Sequence, residues 1–261
     1  MEKKTALITG ATTGLGYELS KILAREGYHL VLVARNQDNL DTVTNDLSNR
    51  FNVSIETIAL DLSLPTSSNK LYEWVQQKSL CIDLLVNNAG FGLHGRFDET
   101  DIKEELSMIQ LNAITLVELT KFFVLDMLNR NHGKILNIAS LAAFQPMPLF
   151  NVYAATKAFV LSFSESLASE LQGTGVTVSV LCPGPFHSGF QQRAQLENIP
   201  IYQGKLPTAE EIAEIGYREM NQNKRVIIPE RKMRMLMFIA RFLPRNLITQ
   251  NNKHLMTKRH S

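Results

Sequence analysis

Short apolar runs alternate with longer stretches of helical period along the whole chain. Thr5–Thr9, Leu30–Val33, Val53–Ala59, Ile82–Val86, Ile135–Ala139, Val176–Leu181 and Arg225–Ile228 read as strands. Several are apolar at every position instead of alternating. That is the pattern of strands covered on both faces, as in a parallel sheet between two helix layers. Leu15–Glu26, Leu106–Leu128 and Val152–Leu171 carry the helical period between them. The last two are apolar around more of their circumference than one sheet contact needs. The alternation predicts an α/β fold, a doubly wound parallel sheet of seven strands with helices on both faces.

No linker, repeat or low-complexity tract divides the chain. One domain is expected, with residues 1–230 as its body and 231–261 as a basic helical extension. The longest irregular piece, Gly184–Leu206, exceeds an ordinary strand–helix loop, and long loops commonly carry function. The chain has 261 residues, 44% hydrophobic and 20% charged, which excludes disordered and collagen-like classes. No run approaches about 18 consecutive apolar residues, so no spanning helix is expected. The N-terminal apolar run is too short for a signal peptide. A soluble, cytoplasmic protein follows. Cys81 and Cys182 are expected as small buried hydrophobes, neither a bridge nor a metal pair. No metal site is expected. The net charge of +2 gives no sign of a nucleic-acid partner.

Candidate chemistry clusters at the predicted strand ends. Thr9-Gly10-Ala11-Thr12-Thr13-Gly14-Leu15-Gly16 follows the first strand and opens the first helix. Glycines there let a pyrophosphate reach free N–H groups at the helix start. The second strand ends Ala34-Arg35, where an acid would bind a ribose 2′-hydroxyl; an arginine suits a 2′-phosphate, so NADP(H) is favoured over NAD(H). Asp61-Leu62 has the form of an adenine-contacting pair, although Asp also commonly caps turns. Asn87-Asn88-Ala89-Gly90 ends the fourth strand on the same sheet edge, with Ala89 and Gly90 small enough for a ribose to approach.

Tyr153 and Lys157 stand four residues apart on one helix face. A nearby cation would depress the phenol pKa and fit the tyrosine for acid–base work. Ser140 ends the fifth strand, thirteen residues earlier, where its hydroxyl can meet a substrate oxygen. Asn112 sits inside an apolar helix, a poor helical position that needs a reason. It would hold a water chain or an unwound carbonyl, or simply be exposed.

In order and spacing these motifs resemble the short-chain dehydrogenase/reductase family, in the form of about 250 residues. The resemblance covers residues 4 to 228 and implies a Rossmann-like fold. It also brings in Pro183-Gly184-Pro185-Phe186-His187-Ser188, similar to the family's Pro-Gly-x-Val-x-Thr segment. Phe186 replaces the valine, and Ser188 replaces the threonine that binds the nicotinamide carboxamide. It implies hydride transfer between nicotinamide and a substrate carbonyl. Tyr153 would be the general acid and Ser140 would orient the carbonyl. Lys157 would bind the nicotinamide ribose, and Asn112 would hold a water linking Lys157 to solvent. The cofactor set is then Gly10, Thr12, Thr13, Gly14, Leu15, Gly16, Arg35, Asp61, Leu62, Asn88, Ala89 and Gly90. Tyr153, Lys157, Pro183, Gly184, Phe186 and Ser188 complete it.

His94, Phe144, Phe150 and Phe190 are expected to line the substrate site, with Phe91 and Met147 near its mouth. Such walls suit an uncharged, hydrophobic carbonyl or alcohol. His187 is a further loop candidate. Arg231–Leu243 reads as a helix stopped before Pro244, with Arg231, Arg234 and Arg241 on one face. It could be a lid, a subunit interface or a peripheral membrane contact. Residues 254–261 are expected to fray. A homodimer or homotetramer is expected through the two apolar helices. The alternative to a reductase is a catalytically silent NADP(H)-binding regulator or a membrane-surface protein. Residues 224–261 hold ten basic side chains and one acid, so the near-neutral average conceals a strongly basic end.

Overall fold

In the computed structural model, residues 4–196 and 199–257 are described. Seven strands form one parallel sheet: β1 (Thr5–Thr9), β2 (His29–Ala34), β3 (Ile55–Ala59), β4 (Ile82–Asn87), β5 (Gly133–Ile138), β6 (Val176–Leu181) and β7 (Val226–Ile227). Their order is β3-β2-β1-β4-β5-β6-β7. The winding therefore reverses between β1 and β4, and the crevice outside their C-terminal ends is where ligands bind in such sheets. The sequence boundaries hold to within a few residues. Arg225, Ile228 and Ala139 fall just outside their strands.

The helices are α1 (Gly14–Arg25), α2 (Gln37–Phe51), α3 (Ser67–Gln77), α4 (Ile102–Ile109), α5 (Thr115–Asn129), α6 (Asn151–Glu170), α7 (Phe190–Arg193), α8 (Ala209–Asn221), α9 (Arg231–Ala240) and α10 (Arg245–Met256). Alternate residues of β1 feed two cores. Ala6 and Ile8 pack with α1, α2 and α8; Leu7 packs with α3 and α5. Burial on both faces explains why β1 carries no polar alternation.

Between α4 and α5 the backbone widens into a π-helical turn, Gln110–Ile114. The whole run Ile102–Asn129 is, by length and composition, long and apolar enough to cross a membrane, contrary to the expectation of no such helix. Here it is a core helix: Leu119, Phe123 and Met127 pack against the sheet. Cys182 is buried as expected, but Cys81 is exposed, because it precedes β4 instead of lying within it. The C-terminal end is more ordered than expected. Residues 254–256 belong to α10, and Met256 is buried; positions 258–261 lie outside the described residues.

Candidate active site

The loop Gly10–Thr13 carries the chain from β1 into α1. Gly10 and Gly14 adopt positive φ, 65° and 53°. A Cβ on Gly16 would lie 2.1 Å from the Gly10 carbonyl oxygen, so only glycine packs there. Asn88 fastens the turn, its side-chain amide donating to the carbonyls of Thr9 at 2.9 Å and Gly10 at 3.0 Å. The Thr9 hydroxyl accepts from the backbone N–H groups of Asn88 and Ala89. The first turn of α1 holds no acid, and Thr13 makes no side-chain cap bond. Its N–H groups therefore face an open, electropositive crevice, a fit for a pyrophosphate. A Cβ on Gly90 would meet Asn112 Oδ1 at 2.9 Å and Lys157 Nζ at 3.5 Å.

One cavity of about 770 Å³ extends from this loop to the C-terminal helices. Of the expected cofactor residues all but Gly16 line it; Gly16 lies behind the loop, against Gly10. Arg35 is exposed at the end of β2. Asp61 accepts from the Ser63 N–H and hydroxyl, so it caps a turn as well as lining the crevice. Burial works against its charge, but those bonds and the guanidinium groups of Arg35 and Arg193 hold its carboxyl below the ordinary value. Leu62 is buried in the core. Ser188 abuts Gly14, its Cβ 3.3 Å from where a Gly14 Cβ would stand. Phe186 packs against the α1–α8 core, a place for the bulk that replaces valine.

Tyr153 and Lys157 are buried on α6, beside the end of β5. Lys157 Nζ donates to the Ile138 carbonyl at 2.8 Å. Burial pushes its ammonium down from 10.5 to about 8. Tyr153 does not follow the expected direction. Burial, then Tyr202, lifts its phenol well above 10.0, and the bond with Ser140 opposes this only in part. Desolvation dominates, so the phenol stays protonated at neutral pH. Ser140 Oγ also accepts from the Ala142 N–H.

Asn112 is buried within the π-helical turn, not exposed. Its amide donates to the Phe91 carbonyl and the Thr156 hydroxyl, and its oxygen accepts from the Phe91 N–H. It ties the end of β4 to α6, and both amide hydrogens are spent.

Phe150, Phe190 and Met147 line the cavity as expected. Phe150 stacks on Tyr153, centroids 4.3 Å apart, and Phe190 lies 5.4 Å away. His94, Phe144, Phe91 and His187 do not line it. The His94 ring N–H donates to the Met256 carbonyl at 2.8 Å. Phe144 packs against the core cluster that includes Val160 and Leu161 of α6 and Met237 of α9. Phe91 is buried beneath Arg193, whose guanidinium sits 4.1 Å from the ring centre. His187 is an exposed loop residue, bonded through its backbone to Pro207.

The sequence reading offered a lid as one role of the C-terminal helix but did not name α10, Ile201 or Tyr202 as part of an opposite wall. Met233, Met237 and Ile248 of α9 and α10 line the cavity, with Ile201 and Tyr202 of the long loop. Asn252 is buried and donates to Gln145 Oε1 and the Pro146 carbonyl, pinning α10 over the site. Arg193 was also missed. It lines the cavity together with Arg35 and Asp61, and a lone basic residue outside any motif carries no sequence signal.

With that geometry in view, a family model for short chain dehydrogenases matches residues 4–198. The chain belongs to this family. It is 35% identical over 184 residues to a very-long-chain 3-oxoacyl-CoA reductase of Bos taurus, covering 68% of this chain and 58% of that protein. It is also 35% identical over 181 residues to the ketoacyl reductase HetN of Nostoc sp., covering 69% and 63%. The chain thus spans about three fifths of the length of these curated relatives. Among solved structures, a short-chain dehydrogenase from Sphingobium yanoikuyae in complex with NADPH aligns with a TM-score of 0.83 at 28% identity, over 91% of this chain and 93% of that one. The Rossmann-like fold described above is the fold of the family's solved NADPH-bound member.

Proposed function

We propose that this chain is an NADP(H)-dependent reductase that converts an apolar carbonyl, a ketone or 3-oxoacyl group, to an alcohol. The observation that carries this reading is the convergence of Tyr153, Ser140 and Lys157 on one cavity whose far wall is apolar. NADPH, when bound, supplies the hydride. Tyr153, kept a neutral phenol by burial, gives its proton to the carbonyl oxygen as charge develops there. Ser140 donates a second hydrogen bond to that oxygen. Both donors are fixed before reaction, so they stabilise the transition state at little reorganisation cost. Lys157 holds a ribose hydroxyl and stabilises the phenolate left behind. Asn112 is a positioning residue for the Gly90–Phe91 backbone.

Arg35 supports the preference for a 2′-phosphate, and Arg193 adds a second guanidinium on the same side of the cavity. The names of the two curated relatives, a 3-oxoacyl-CoA reductase and a ketoacyl reductase, support the substrate class. The exposed Leu125 and Phe159 on α5 and α6 support a subunit contact in a dimer or tetramer.

The test is thermal stabilisation by NADPH against NADH, followed by NADPH oxidation with apolar ketones and 3-oxoacyl thioesters. Greater stabilisation by NADPH and turnover of one of these classes is expected. Stabilisation without turnover on the whole panel points to the silent cofactor-binding protein instead.

A further inference from the structure

Helices α9 and α10 present apolar side chains in two directions. Inward, Met233, Met237 and Ile248 wall the cavity. Outward, Met235, Phe238, Ile239 and Phe242 are exposed, Phe242 by 75%. Leu236, Leu243 and Leu247 do both: they line the cavity and are about half exposed. The mouth of the cavity therefore opens within the exposed apolar patch.

Charge frames this patch with one sign. Arg231, Lys232, Arg245 and Lys253 stand exposed on the same two helices and Arg241 in the junction between them, and none forms an ion pair among the described residues. No Asp or Glu occurs from residue 231 to the end of the chain. The other exposed apolar residues differ: Leu106 and Leu125 lie on helices that also carry Glu104, Glu118 and Asp126. A second copy fits the α9–α10 face poorly. A two-fold contact through it would set the two basic sets against each other. An apolar centre with a purely basic fringe matches an anionic lipid surface, where cations meet headgroups and aromatic side chains enter the acyl boundary.

We propose that the outer face of α9 and α10 docks on an anionic lipid leaflet, with Phe238 and Phe242 immersed and the cavity mouth turned to the lipid. An apolar carbonyl dissolved in the leaflet then reaches the site without crossing water. The docking stands on the surface alone; the delivery of substrate rests on the reductase reading above.

The test is sedimentation of the full chain with vesicles of phosphatidylcholine, alone or with about a third phosphatidylserine. Pelleting is expected with the anionic vesicles at low salt, and less at high salt. Arg241→Gln with Arg245→Gln lowers vesicle affinity roughly thirtyfold, at about fivefold for each cation. Phe238→Ser with Phe242→Ser abolishes pelleting while stabilisation by NADPH stays at the wild-type level. No pelleting with anionic vesicles at low salt overturns the proposal. So does pelleting that neither variant changes, or a vesicle-free dimer that the phenylalanine variant dissolves. No carbonyl is used in this readout, so an inactive reductase leaves the docking result standing, and the reverse also holds.

Discussion

The Lys157 ammonium lies 5.7 Å from the centre of the Tyr153 ring, and both side chains are buried. The two groups respond to burial in opposite directions. Desolvation lifts the phenol and lowers the ammonium, because each then favours its neutral form. Near pH 7 the phenol is a proton donor while the lysine still carries charge.

This sets a pH dependence. Lys157 is charged below about 8 and loses its proton as pH rises through that value. If the cation supports the departing proton of Tyr153, reductive kcat/KM is flat from acid to neutral pH and falls above about 8. Lys157→Arg removes that descending limb from whatever activity remains, because a guanidinium stays charged. Unfolding does not mimic the fall. A base whose pKa drops from 10.5 to about 8 on folding favours the folded state increasingly as pH rises between those values. Thermal melts across the same range separate the two effects.

Asn112→Ala removes three hydrogen bonds and leaves the buried Phe91 N–H and carbonyl without their partner. A loss of about 3 kcal/mol in unfolding free energy is expected. Denaturant titration measures it, and a cost within the range of an ordinary surface substitution would show that water replaces the amide.

Arg35→Asp is expected to reverse cofactor choice. Removing a charge-assisted contact to a 2′-phosphate costs NADPH about ten- to a hundredfold in affinity, and the new carboxylate favours a free 2′-hydroxyl. Fluorescence titration with NADPH and NADH reads both. Equal binding of NADPH before and after the change would place the selectivity elsewhere.

Arg193 is the natural alternative location. Arg193→Met keeps an apolar cover over Phe91 and deletes the cation. NADPH affinity is expected to fall about tenfold, with a smaller effect on NADH, in the same titration. An unchanged value would mean that Arg193 only covers Phe91.

The sheet was legible because several of its strands are apolar at every position, and the catalytic cluster because Ser140, Tyr153 and Lys157 sit close in sequence around one strand end. What the sequence concealed depends on neighbours distant along the chain. His94 and Phe144 have the composition of a pocket wall, yet a bond to the Met256 carbonyl holds the first and a separate core cluster takes up the second. The pocket's real far wall is built by helices whose last residues looked ready to fray, and α10 is held by the buried Asn252 amide and by the buried Met256, whose carbonyl accepts from His94. The sign of the Tyr153 shift was also hidden. Spacing places a cation beside the phenol but says nothing of the burial that sets the direction of the shift.

The central claim, that Tyr153 protonates a carbonyl, is tested most directly by comparing wild type and Tyr153→Phe in NADPH oxidation with an accepted ketone or 3-oxoacyl thioester, while NADPH binding is measured in parallel. The account predicts a fall in turnover of about a hundred- to ten-thousandfold, the range for a lost general acid, with NADPH affinity unchanged. Turnover within a few fold of wild type would contradict it.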